Sequence, residues 1–157
     1  MLEYIAMVFK QGGFINMIGI LIVTHQPLGS SFLDCIKHIL GKLPSQLVNY
    51  TITPRANPDT EISNLQEILL KLDQGGGVLI LTDLYGATPA NIASKLIRCG
   101  QVECLSGLNL PMLLRAIQYQ DKPLAEMMDK ALSGGQTGIF HIPPPQELHA
   151  DQNTHDT

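Results

Sequence analysis

His25 closes one apolar run, MIGILIVTH, and Asp83 closes another, VLILTD. A histidine beside a carboxylate can do chemistry. The carboxylate accepts a hydrogen bond from one ring nitrogen, fixes the tautomer and leaves the lone pair of the other nitrogen free to attack. It also stabilises the cationic ring that attack produces. Taken singly, a lone histidine is a structural or solvated residue, so the pairing matters only if the fold brings both groups to one place.

The segment YGATPAN, residues 85–91, adds a third feature. Thr88 suits a helix N-cap and Pro89 the first helical position. Gly86 and Ala87 leave room for close approach, and backbone N–H groups at a helix start favour an anion. Alone this is a plain cap. With His25 and Asp83 it completes a set: a nucleophile, its orienting carboxylate, and a phosphate cradle from Ala87 and Thr88. No second histidine or carboxylate cluster completes a metal site. Neither a Walker A pattern nor GxGxxG occurs. No cofactor is therefore expected. A hydrolase with His25 as base would need a serine or cysteine nucleophile at the same edge, and none is convincing. His38, His141, His149 and His155 read as solvated or interface residues, and Arg55 and Arg115 as solvated cations.

The elements that would position these groups alternate. Residues 17–23 form a continuous apolar, β-branched run expected to be a buried parallel strand ending at Thr24-His25. Phe32, Leu33, Ile36, Ile39 and Leu40 lie at helical spacing before Gly41. Residues 46–53 form a weaker strand. Asn57-Pro58 opens a helix with Ile62, Leu65, Ile68, Leu69 and Leu72 on its apolar face, ended by Gly75, Gly76 and Gly77. Strand 78–81 and helix 89–98 follow, then strand 101–106. Asn109-Leu110-Pro111 opens helix 112–119, Pro123 opens helix 124–132, and residues 137–142 are read as a last short strand. This βαβαβαβα order predicts an α/β fold, a mostly parallel sheet with helices on both faces. Ligands of such sheets bind beyond the carboxyl ends of the strands, near the switch point, which places His25 and Asp83 on one edge.

Composition bounds the partners. The chain has 157 residues, a net charge of −4, 45% hydrophobic and 15% charged residues. That fits one domain able to bury a core. Scattered Lys and Arg argue against nucleic acid and anionic membranes. No apolar stretch reaches the length of a membrane span, so no membrane insertion is expected. Cys35, Cys99 and Cys104 are an odd, scattered set, read as buried thiols in a reducing, cytoplasmic setting. The expected domains are an N-terminal extension, 1–16, without the marks of a targeting segment; a folded unit, 17–142; and a disordered tail, 143–157, opened by three prolines.

MIGILIVTHQPLG, GVLILTDLYGATPANIAS and GLNLPMLLRA together resemble the mannose-class (mannose/fructose/sorbose) IIA domain of the bacterial phosphoenolpyruvate-dependent sugar phosphotransferase system, in order from about Met17 to Ile142. The resemblance implies a phosphotransferase component, a phosphoryl carrier with a phosphohistidine intermediate and no cofactor. Phospho-HPr donates to His25, which passes the group to a IIB subunit in sugar transport. Asp83 is the orienting carboxylate, Thr88 the hydroxyl residue before proline, and Thr24, Tyr85, Gly86 and Asn109 line the site. The family fold implies a homodimer with the C-terminal strand, here 137–142, exchanged after a Gly134-Gly135 hinge. Tyr85 stands where tryptophan is common, and Gln26-Pro27 replaces a smaller residue. Two alternatives remain: a regulatory sensor of phosphorylation state without its own permease, and the phosphocarrier domain serving dihydroxyacetone kinase.

Overall fold

The computed structural model describes residues 16–144. The expected extension and tail lie outside the described residues except at positions 16, 143 and 144. Among the described residues four strands and four helices alternate and a fifth helix follows: β1 Gly19–His25, α1 Leu28–Leu40, β2 Leu47–Ile52, α2 Pro58–Leu72, β3 Val78–Thr82, α3 Thr88–Ser94, β4 Val102–Ser106, α4 Leu110–Gln118 and α5 Leu124–Thr137. The sheet is wholly parallel, in the order β2-β1-β3-β4. The α/β expectation holds, with a core on each face of the sheet.

Side-chain alternation builds those two cores. Ile18, Ile20 and Ile22 of the β1 segment face one side with Leu79 and Leu81, under Ile36 of α1, Leu113 of α4 and Met127 of α5. Leu21 and Val23 face the other side with Val78 and Ile80, under Leu65 of α2 and Ile92 of α3. The central strands are therefore apolar and buried along their length until the polar residues Thr24, His25 and Thr82 at their carboxyl ends, of which only His25 is exposed. Each such Leu or Ile contributes roughly 1.5–3 kcal/mol by leaving water.

The strand order places the site. β1 lies between β2 and β3, and the chain passes from β2 across β1 to β3. This is the switch point, where the helices that follow β1 and β3 leave for opposite faces and open a crevice at the carboxyl edge. Val23 pairs in register with Thr82, so His25 and Asp83 emerge side by side. The edge strand β2 is tied down by Tyr50, whose hydroxyl donates to Glu61 of α2 and accepts from Asn64.

Four expectations are corrected. Residues 138–142 form no strand; α5 continues to Thr137, and Ile139, Phe140 and Ile142 are exposed. Gly134 and Gly135 are not a hinge but lie buried inside α5. A Cβ on Gly134 would sit 2.8 Å from Arg115 Cβ, and one on Gly135 would sit 2.9 Å from Met112 Cε. Those glycines let α5 pack closely on α4. Helix α3 ends at Ser94, not 98, because the chain turns back so that Arg98 can bridge Val102. Cys35 and Cys99 are exposed, Cys35 on the outer side of α1 beside the buried Ile36, and Cys99 in the loop after α3. Only Cys104 is largely buried, which pushes its thiol up to about 11.

Candidate functional site

His25 is the last residue of β1, and Pro27, joined to Gln26 by a cis peptide bond, is the N-cap of α1. Asp83 is the first residue past β3. Its Oδ2 accepts the backbone N–H of His25 at 2.9 Å and lies 2.8 Å from His25 Nδ1. Its Oδ1 accepts the N–H of Leu84 at 2.9 Å. The carboxylate is nearly enclosed, 9% exposed, while the imidazole is half exposed.

Burial alone would push the Asp83 carboxyl up. The N–H groups of His25 and Leu84 and the neighbouring ring outweigh it, and its pKa lies below the ordinary carboxylate value. Asp83 is therefore ionised at neutral pH and can only accept. Nδ1 carries the proton and donates to Oδ2, so the lone pair sits on Nε2.

The loop after Asp83 is exposed at Leu84 and Tyr85. Gly86 has φ near 80°, a left-handed conformation that a side chain would strain. Asn91, a residue the sequence reading passed over, donates through Nδ2 to the Gly86 carbonyl at 3.1 Å and holds this loop. The N-cap of α3 is Ala87, one position before the expected Thr88, because the Ala87 carbonyl accepts the first helical bond from Asn91 N–H. Thr88 stands at the exposed first position of the helix. Ala87 and Thr88 thus follow Asp83 by four and five residues at the same sheet edge.

Two other expected residues are placed differently. Thr24 is fully buried, and its side chain lies under α1 beside Gly29. Asn109 accepts from Met112 N–H at 2.9 Å, capping α4, and donates to the Gly135 carbonyl at 2.9 Å. Both ends of its side chain serve the fold. Its loop still reaches the site's edge, since Leu108 N–H donates to the Thr82 carbonyl at 3.0 Å. Among the described residues, no three or more His, Cys, Asp or Glu side chains gather as a metal-binding group, and no helix is long and apolar enough to cross a membrane.

Comparison with known proteins agrees with this arrangement. Residues 19–132 match the family model EIIA-man, described as the PTS system fructose IIA component. The chain is similar to the mannose-specific EIIAB component of Escherichia coli K12, 30% identical over 126 residues, covering 78% of this chain and 38% of that protein. It therefore spans about two fifths of that relative's length. Among solved structures it is similar to phosphotransferase system component EIIA from Streptococcus agalactiae, at 28% identity and TM-score 0.71, covering 80% of this chain and 97% of the other. It shares its fold with the mannose/sorbose-specific IIA subunit from Enterococcus faecalis, at 23% identity and TM-score 0.74, with 83% and 98% covered. The chain belongs to the mannose/fructose/sorbose class of IIA domains, the phosphoryl-carrier components of the phosphotransferase system.

Proposed function

We propose that Nε2 of His25 is the atom that carries the phosphoryl group, taken from phospho-HPr and passed to a IIB subunit. The observation that carries this reading is the double engagement of Asp83 Oδ2 by the backbone N–H and ring Nδ1 of His25, which leaves Nε2 as the free nitrogen on an exposed face. In the step itself, the Nε2 lone pair forms the bond to phosphorus as the donor's bond to phosphorus breaks in line, and the departing pair stays with the donor. The protein's part is positioning and charge balance. Asp83 offsets the positive charge on the ring, and the Ala87 and Thr88 amides with the Thr88 hydroxyl would hold the phosphoryl oxygens. Thr24, Gly86, Tyr85 and Asn109 line or shape the surroundings, and the exposed Leu84 and Tyr85 offer an apolar rim to a docking carrier.

The phosphocarrier unit is taken as residues 17–142, and it is read as a homodimer. The exposed apolar residues Ile139, Phe140 and Ile142, and an outer edge of β4 with no paired strand among the described residues, support exchange of the segment 137–142 between two copies. Incubation with phosphoenolpyruvate, enzyme I and HPr, followed by mass spectrometry of the peptides, tests the carrier reading. Label on the His25 peptide, absent from His25→Ala, is expected; label retained by His25→Ala overturns it.

A further inference from the structure

Asp83 holds His25 from the β3 side. On the β2 side of the same strand lies a second group of polar atoms. Thr24 is fully buried and its Oγ1 has no hydrogen-bond partner; Asn49 Oδ1, on β2, is likewise buried and unpartnered. The two converge on one point. A Cβ on Gly29 would lie 1.9 Å from Asn49 Oδ1, 2.7 Å from Asn49 Cγ and 2.8 Å from Thr24 Oγ1.

Gly29 is buried in the first turn of α1, four residues after His25. It is not among the glycines with positive φ, so its lack of a side chain answers a need for space. The Asn49 side chain thus crosses directly beneath the start of α1 and lies beside the residue that precedes His25. No side chain caps α1, so the turn from His25 to Leu28 depends on what packs under it.

We infer that Asn49 is a positioning residue for His25. The Asn49 and Thr24 side chains, fitted against a bare Gly29, set how closely α1 approaches β1 and β2. That height fixes the turn that carries His25, and with it the match between the His25 backbone N–H, ring Nδ1 and the single Asp83 oxygen that serves both. The inference rests on the reading of His25 as the phosphoryl carrier and adds the element that aims it.

The test uses the full chain as wild type, Asn49→Ala, Gly29→Ala and the double variant, each with a thermal melt to establish folding. Two readouts are taken: the His25 tautomer from ring 15N shifts, and the transfer rate from phospho-HPr as a function of its concentration. Asn49→Ala should weaken the dominance of the Nδ1–H form and slow saturated transfer about tenfold. The half-saturating concentration of phospho-HPr should not change, since Asn49 Oδ1 is buried away from any partner. Gly29→Ala, which drives a methyl into Asn49, should be worse. In the double variant the methyl at 29 fills the space Asn49 leaves, so tautomer ratio and rate should return toward wild type. Wild-type shifts and rates in Asn49→Ala, or simple addition of the two losses in the double variant, overturn the inference. If wild type takes no label on His25 the carrier reading fails, while the tautomer comparison still decides the role of Asn49.

Discussion

A single oxygen of Asp83 serves two donors of His25, the backbone N–H at 2.9 Å and ring Nδ1 at 2.8 Å. The carboxylate therefore fixes the imidazole against its own main chain. Two parallel strands set this geometry, because Val23 and Thr82 are register partners and His25 and Asp83 follow them at the switch point.

Asp83→Asn keeps the shape and removes the charge. The remaining amide cannot accept as a carboxylate does, and it can turn its NH2 toward the ring, which favours the wrong tautomer. The loss of one charge-assisted hydrogen bond, about 1.5–3 kcal/mol, corresponds to roughly 10- to 100-fold in rate. Transfer from phospho-HPr measured by quench should slow within that range in a protein that still folds; unchanged rates would remove the orienting role.

The same carboxylate gives a pH signature. Its pKa in the folded protein lies below the ordinary value because the N–H groups of His25 and Leu84 outweigh burial. A lowered folded value means the ionised form stabilises the fold. That contribution is complete above the unfolded carboxyl value, near 3.9, and is lost as pH falls through the lower folded value. The melting-temperature difference between wild type and Asp83→Asn should be constant from pH 6 to about 5 and shrink below about 4. A difference that grew on acidification would contradict the assignment.

Gly134 separates two physical pictures. In an isolated helix, Gly→Ala gains about 1 kcal/mol, and a hinge released from strain would do no worse. Here the new methyl would meet Arg115 Cβ at 2.8 Å. Overpacking at such a contact costs about 1–3 kcal/mol, so Gly134→Ala should lower the melting temperature. A raised melting temperature would show that α5 does not depend on close approach to α4.

Ile139, Phe140 and Ile142 are about three-quarters exposed or more, and among the described residues no strand pairs with the outer edge of β4. If a second copy covers them, Phe140→Asp should shift the protein from dimer to monomer in size-exclusion chromatography with light scattering. Wild type running as a monomer at tens of micromolar would remove the exchanged-strand reading.

How much could be read from the sequence follows from which forces act locally. The apolar runs ending at His25 and Asp83 announced buried parallel strands, because a strand covered on both faces must be apolar throughout. Pro58, Pro89 and Pro111 each marked a helix start. The end of the last helix is hidden in the sequence because Gly134 and Gly135 look like helix breakers, while their purpose is a close helix contact made by Arg115 and Met112. The Thr88 cap was missed by one residue because the helix start is set by the Ala87 carbonyl, not by a side chain. Of the site, His25 and Asp83 were legible, since a strand-end histidine and a strand-end aspartate carry the signal themselves. Asn49, Gly29 and Asn91 were not. Their roles come from contacts across 20 residues and from a loop carbonyl, for which no residue pattern exists.

The most direct measurement is NMR of the phosphorylated protein, prepared with phosphoenolpyruvate, enzyme I and HPr and labelled with 15N in its histidine rings. Coupling between phosphorus and Nε2 of His25, with Nδ1 still protonated toward Asp83, is the predicted result. A phosphoryl group on Nδ1, or on any residue other than His25, would contradict it.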